Sequence, residues 1–162
     1  MSDQPAPPEQ FFLGRQPILD RNQRLVAYEL LFRSSSHNTA DFSCGTRATA
    51  TVIANAFSEL SVADSLGDCL GFINVDEDFL FSDLLELLPR QSIVLEILET
   101  VPPTPEVIER CRALKAAGFR LALDDVTTIT PAHRDLLQLA DVIKVDILQL
   151  SEPALNYLVS QL

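Results

Sequence analysis

Hydrophobic positions change period along the chain, and each change marks an element. The stretch MSDQPAPPEQ (1–10) is rich in Pro and polar groups and carries no hydrophobic period, so it reads as a disordered lead-in, with structure starting near Phe11. FFLGRQPILD and RLVAYELLFR are extended apolar segments around Asp20-Arg21-Asn22, a turn signal, and predict an antiparallel hairpin. Ala48, Val52, Ile53, Ala56, Phe57 and Leu60 recur at helical spacing and predict one amphipathic helix over about 44–60. Beyond it, the short apolar runs GFINV (71–75), SIVLEIL (92–98), FRLALDD (119–125) and DVIKVDIL (141–148) alternate with helical segments near 78–88, 105–117, 131–139 and 153–162.

Strands alternating with helices mean crossover units and a parallel sheet, an α/β architecture. Thr104-Pro105, Thr130-Pro131 and Ser151 place N-cap hydroxyls where helices should begin, with proline at the tolerated first position. Gly118 closes the third helix as a left-handed C-cap. The prediction is six strands, the first antiparallel.

Each apolar strand after the first contains a polar residue that a buried parallel strand would not choose: Glu29, Asn74, Glu96, Asp124 with Asp125, and Lys144. From Asn74 to Glu96, Asp124 and Lys144 the steps are 22, 28 and 20 residues, about one strand–helix unit each. The polar groups thus recur at equivalent places in successive units. An unpaired buried carboxylate costs several kcal/mol, so the set is tolerable only if it converges on water, a counter-charge or a metal. In βα barrels successive strand ends do converge, at the C-terminal face. Carboxylates with an amide oxygen make an all-oxygen site suited to Mg²⁺ or Mn²⁺, and Lys144 is placed to polarise a water or steady an anion. The plainer reading of any one of Glu29, Asn74 or Glu96 is a hydrogen-bonding residue at a strand end, and of Asp124-Asp125 a helix-entry or turn pair. Glu99 reads equally as a loop-fixing residue or a solvated one. Arg33, four residues after Glu29, shares its face and suits a phosphate or a surface ion pair. Gln16 offers hydrogen bonds to a base edge. His37 and His133 lie in polar loops and are expected to be solvated.

Composition narrows the classes. With 12 Lys and Arg against 23 Asp and Glu, the net charge is −11, and Lys occurs only at 115 and 144, so a nucleic-acid polymer is not an expected partner. Gly14, Gly45, Gly67, Gly71 and Gly118 are scattered, which removes both the P-loop and the dinucleotide fingerprint. Cys44, Cys69 and Cys111 have no paired spacing, which points to a reducing cytoplasm rather than a disulfide or zinc framework. No apolar run reaches the roughly 18 residues of a spanning helix and no signal-peptide pattern opens the chain, so no membrane partner is expected.

RQPILDRNQRLVAYELLFRS, FINV, VLEILET, GFRLALDDV and DVIKVDI, in this order, resemble the EAL domain of bacterial cyclic di-GMP signalling. ELLFR, FIN and LEILE resemble in particular the EAL half of EAL-HDOD proteins. The similarity spans residues 11–162. It implies a TIM-like (β/α) barrel with an antiparallel first strand, carried here by about six of eight strands, since such barrels take about 250 residues and the chain reaches Leu162 inside the sixth helix. It further implies that Glu29, Asn74, Glu96 and Asp124 are metal ligands, with Asp125 supporting a second metal. Lys144 would hold the attacking water and act with Glu29 in catalysis. Glu99 would brace the loop after Asp124-Asp125, and Gln16 and Arg33 would contact the dinucleotide. In active members two metals activate a water for in-line attack on a phosphodiester, giving linear pGpG.

Active members follow the Asp pair with a loop resembling D-F-G-T-G, whereas this chain has Val126-Thr127-Thr128-Ile129-Thr130, without glycine. The expected function is therefore a degenerate cyclic di-GMP signalling module acting through nucleotide binding or protein contacts. The alternative is an active, metal-dependent cyclic di-GMP phosphodiesterase. A protein partner or HDOD-type output domain, and a homodimer formed over unpaired strand edges, are the expected assemblies. A sugar-phosphate enzyme on a βα barrel is a third class, weakened by the missing glycine-rich phosphate loop.

Overall fold

In a computed structural model, the structure describes residues 11–34 and 66–162, with side chains from Leu13 to Leu31 and from Leu66 onward. The lead-in, the helix expected over 44–60, His37 and Cys44 lie outside the described residues, as does the side chain of Arg33. One six-stranded sheet runs in the order β1 (Phe11–Leu19), β2 (Leu25–Ser34), β3 (Leu70–Val75), β4 (Ile93–Ile97), β5 (Arg120–Leu123) and β6 (Val142–Ile143). β1 and β2 pair antiparallel and every later pair is parallel. The sheet curls into half of a TIM-like barrel, the predicted α/β class.

The hairpin closes as its sequence predicts. Asp20 Oδ1 accepts the amides of Asn22 at 2.8 Å and Arg24 at 2.9 Å, and Gln23 takes the left-handed φ of 60° that the turn requires. After β3, Asp76 caps α1 (Glu77–Leu80) by accepting the Phe79 amide at 2.8 Å. The helix expected near 78–88 is broken: Ser82 starts a new 3₁₀ turn over Asp83–Leu87, and Pro89 follows. Thr104 caps α2 (Pro105–Ala116), which ends in a Schellman motif: Gly118 at φ 96° donates to Lys115 O at 2.9 Å, and Phe119 donates to Leu114 O at 3.0 Å. The segment expected at 131–139 divides into a 3₁₀ turn, Pro131–His133, and α3 (Arg134–Leu139). The last helix, α4 (Glu152–Gln161), starts after Ser151, whose hydroxyl makes no capping bond.

Alternation along the strands separates two layers. Leu30, Ile73, Leu95 and Leu121 face Phe79, Leu80, Leu85, Val107, Cys111, Leu114 and Leu136 in the main core. The opposite face, inside the curl, carries a smaller apolar cluster of Ala27, Phe72, Val94 and Ala122, with Ile18 and Leu70 against it. Gly71 is needed where β3 meets the main core: a Cβ there would lie 2.9 Å from Leu30 Cδ1 and 3.0 Å from Leu66 Cδ1.

The strand expected at 141–148 is reduced to Val142–Ile143. Its ladder continues one residue further, with the Lys144 amide donating to Leu123 O at 2.9 Å and the Val126 amide to Lys144 O at 2.9 Å. Asp146 then turns the chain away, accepting the Leu148 amide at 2.9 Å and Gln149 Nε2 at 2.7 Å. Among the described residues β6 pairs only with β5, so nothing there extends the pairing.

Candidate functional site

The polar strand residues stand on the inner face, above its apolar cluster. In register, Glu29 is level with Phe72, Phe72 with Val94, Asn74 with Glu96, Glu96 with Ala122, and Ala122 with Val142. Two residues further along β5 and β6 come Asp124 and Lys144. The polar positions therefore climb the sheet like a staircase, the offset that tilted barrel strands need to bring them to one height. Gln16 sits opposite Glu29 in the hairpin, on the same face, with its side chain exposed.

Lys144 is the hub. Its Nζ contacts Glu96 Oε1 directly, lies 2.9 Å from Asp124 Oδ1 and 3.4 Å from Glu29 Oε2. Glu96 is 0% exposed, the one buried polar residue among those described. Burial pushes its carboxyl well above the usual range and Asp124 adds to this, against the pull of Lys144. Burial works against the charge on Lys144, but its hydrogen bond to Glu96 and the nearby negative charge of Asp124 outweigh that and hold the ammonium protonated.

Three acceptors in this cluster have no hydrogen-bond partner although they are shut off from solvent: Asn74 Oδ1, Glu96 Oε2 and Asp124 Oδ1, the last within ion-pair distance of Lys144 but out of line for a hydrogen bond. Orphaned buried oxygens are rare and expensive. Hard oxygen donors of this kind fit a divalent cation such as Mg²⁺.

Asp125, two residues past β5, stands at φ 44°, a left-handed conformation that Asp tolerates better than most residues. The turn brings a carboxylate oxygen of Asp125 within 4.8 Å of those of Asp124 and Glu99. Burial, then Asp124, Asp146 and Glu99, raise the Asp125 carboxyl. Asp124 thus borders two groups, the Lys144 hub and this acidic trio. The trio also lines a cavity of ≈ 480 Å³ with Val101, Leu123 and Leu136.

The structure brings Glu29, Asn74, Glu96, Asp124 and Lys144 onto one inner face and gathers Asp125 and Glu99 beside Asp124. Two features went unread in the sequence. His133 was expected to be solvated, but it is half-buried, and its Nδ1 accepts the Thr130 amide at 3.3 Å and lies 2.7 Å from Thr130 Oγ1. The T-P-x-H spacing, a capping-box pattern, carried that signal. The second is Asp141, which links Lys115 and the Leu121 amide; an acidic residue opening an apolar strand was the available clue.

No family model matches the chain. It is 38% identical over 142 residues to the uncharacterised protein YuxH of Bacillus subtilis, covering 85% of this chain and 35% of that protein. It is 36% identical over 138 residues to the cyclic di-GMP phosphodiesterase CdgJ of Vibrio cholerae, covering 85% of this chain and 32% of that protein. The chain therefore spans about a third of the length of these relatives. The solved structure of the Bacillus subtilis YkuI protein, which has an EAL domain and is in complex with substrate c-di-GMP and calcium, superposes with a TM-score of 0.69 at 21% identity, covering 93% of this chain and 44% of that one. The resemblance carried by the motifs is matched by the architecture, and the described residues share the fold of part of that EAL-domain structure.

Proposed function

We propose that this chain is a cyclic di-GMP-binding module of bacterial signal transduction in the cytoplasm, degenerate for turnover. The observation that carries the reading is the convergence of Asn74 Oδ1, Glu96 Oε2 and Asp124 Oδ1, three buried acceptors without partners, beside Glu29 and Lys144. Glu29, Asn74, Glu96 and Asp124 would hold Mg²⁺ or Mn²⁺, with Asp125 at a second ion. When bound, such an ion supplies charge neutralisation at a phosphodiester and lowers the pKa of a bound water. Gln16 and Arg33 contact the dinucleotide, Arg33 at a phosphate. Glu99 braces the 126–130 loop, and Lys144 steadies the anionic oxygens. Two observations favour binding without turnover: the loop after Asp125 lacks glycine, and Lys144 is already engaged by three carboxylates. The output then passes to an HDOD-type domain, another protein or a second copy of the chain.

The second reading is an active phosphodiesterase, in which Glu29 and Lys144 serve catalysis. The retained set Glu29, Asn74, Glu96, Asp124, Asp125 and Lys144 favours it, as does the name of the Vibrio cholerae relative. Calorimetric titration with cyclic di-GMP under Mg²⁺ and then Mn²⁺, with pGpG followed by chromatography, separates the two. Cation-dependent heat without pGpG, lost in Arg33→Ala, is expected. Release of pGpG that Glu29→Ala abolishes would establish the enzyme instead, and no heat with no product would overturn both.

A further inference from the structure

β6 is short, Val142 and Ile143 with backbone bonds continuing at Lys144, yet it must deliver Lys144 to the carboxylates of Glu29, Glu96 and Asp124. A slip of two residues along β5 would keep Lys144 on the inner face but carry it about 6.6 Å from its partners. Pairing between two-residue stretches does little to prevent such a slip. Val142 is exposed, so its side chain adds little packing to hold the register.

Asp141 adds a side-chain constraint to the backbone bonds at Lys144. Its amide donates to Leu121 O at 2.8 Å, and its Oδ2 accepts the Leu121 amide at 2.8 Å, so both polar groups of one β5 residue are tied to one residue of the incoming strand. Its Oδ1 meets Lys115 Nζ, near the end of α2, at 2.6 Å. Asp141 is thus joined at once to β5 and to the helix that precedes it, three residues before Lys144.

We infer that Asp141 is a positioning residue: through the Leu121 amide it sets the register of β6 and thereby the height at which Lys144 enters the carboxylate cluster. The inference rests on the nucleotide-binding reading only for the purpose of Lys144, because the placement itself needs neither nucleotide nor cation. The side-chain bond to Leu121 does the positioning, and the ion pair with Lys115 is accessory.

The chain has two lysines, so labelling lysine Cε with ¹³C gives two NMR signals, and Lys115→Met identifies which belongs to Lys144. In Asp141→Ala the Lys144 signal is expected to move toward the position of a solvated lysine, with amide exchange at Lys144 and Val126 accelerated about tenfold or more relative to Leu95. Asp141→Asn, which keeps an oxygen for the Leu121 amide, and Lys115→Met are both expected to leave the Lys144 signal in place. A Lys144 signal unmoved in folded Asp141→Ala would overturn the inference, as would an equal movement in Lys115→Met. Should Asp141→Ala not fold, Asp141→Glu decides by the same signal: it keeps the charge but displaces the acceptor by one methylene, and an unmoved Lys144 refutes the role. All these readouts are made without cyclic di-GMP, so failure of the binding reading leaves a distinct result.

Discussion

Asn74→Leu is expected to make the metal-free chain more stable. Asn74 Oδ1 is enclosed and accepts no hydrogen bond, and leaving such an acceptor unpaired costs about 1–3 kcal/mol. Leucine has a similar volume and removes the orphan, and the same-face neighbours Phe72 and Val94 are apolar and buried. Because Asn74 is itself only partly buried, the lower part of that range applies, about 1–2 kcal/mol, or an increase in Tm of about 2–6 °C at this chain length. A divalent cation should act in the opposite sense on the pair. At ten times its Kd it stabilises the native chain by about 1.4 kcal/mol, and a variant missing one ligand gains less. Guanidinium unfolding in EDTA and then in excess Mg²⁺ measures both terms. A lower midpoint for Asn74→Leu in EDTA would show that the oxygen is satisfied after all, and an undiminished Mg²⁺ increment would remove Asn74 from the ligand set.

Three further outcomes follow from individual contacts. Gly71→Ala should destabilise the chain by about 1–3 kcal/mol, read from its denaturation midpoint, because the added methyl meets Leu30, Leu66 and Ile93 at 3.1 Å or less. Cys111 is fully buried and burial pushes its thiol up to about 11, with Arg110 opposing, so native alkylation at mildly alkaline pH should spare it while modifying half-buried Cys69; peptide masses showing equal modification would contradict this. For Asp141, burial is outweighed by hydrogen bonds from Lys115 and the Leu121 amide, which hold the carboxyl below its ordinary value of 3.8. A depressed carboxyl stabilises the fold above that value and loses the contribution as pH falls through the lowered one. The stability difference between the native chain and Asp141→Asn should accordingly be flat near neutrality and shrink on acidification below about 4, and a difference that widens there would reverse the sign of the argument.

The sheet was legible because its signals are local and redundant. Apolar runs such as IVLEI and RLAL fix strands, and turn or cap residues such as Asp20, Thr104 and Gly118 fix their boundaries. The candidate site was legible for a different reason. A buried strand gives no local cause for Glu96, so its recurrence with Asn74, Asp124 and Lys144 one unit apart had to mean convergence. What could not be read depended on partners distant in sequence. The length of β6 follows from what pairs beside it, and the run DVIKVDIL looks the same whether or not a neighbour is there. The ties from Asp141 to Lys115, 26 residues away, and from Lys144 to Glu29, 115 residues away, exist only once the sheet has curled.

Charge explains why such a cluster can persist inside the curl. Glu29, Glu96 and Asp124 carry three negative charges between them when ionised, and Lys144 returns one positive charge from their midst. The remainder, two negative charges, is the charge that one divalent cation would balance. Burial drives Glu96 toward its neutral form and takes up part of the excess. The apolar layer of Ala27, Phe72, Val94 and Ala122 beneath the cluster keeps water from reaching it from below, so its charges must be balanced within the site itself. Lys144 is therefore the internal counter-ion of the cluster, the one positive charge that lets three carboxylates share the inner face.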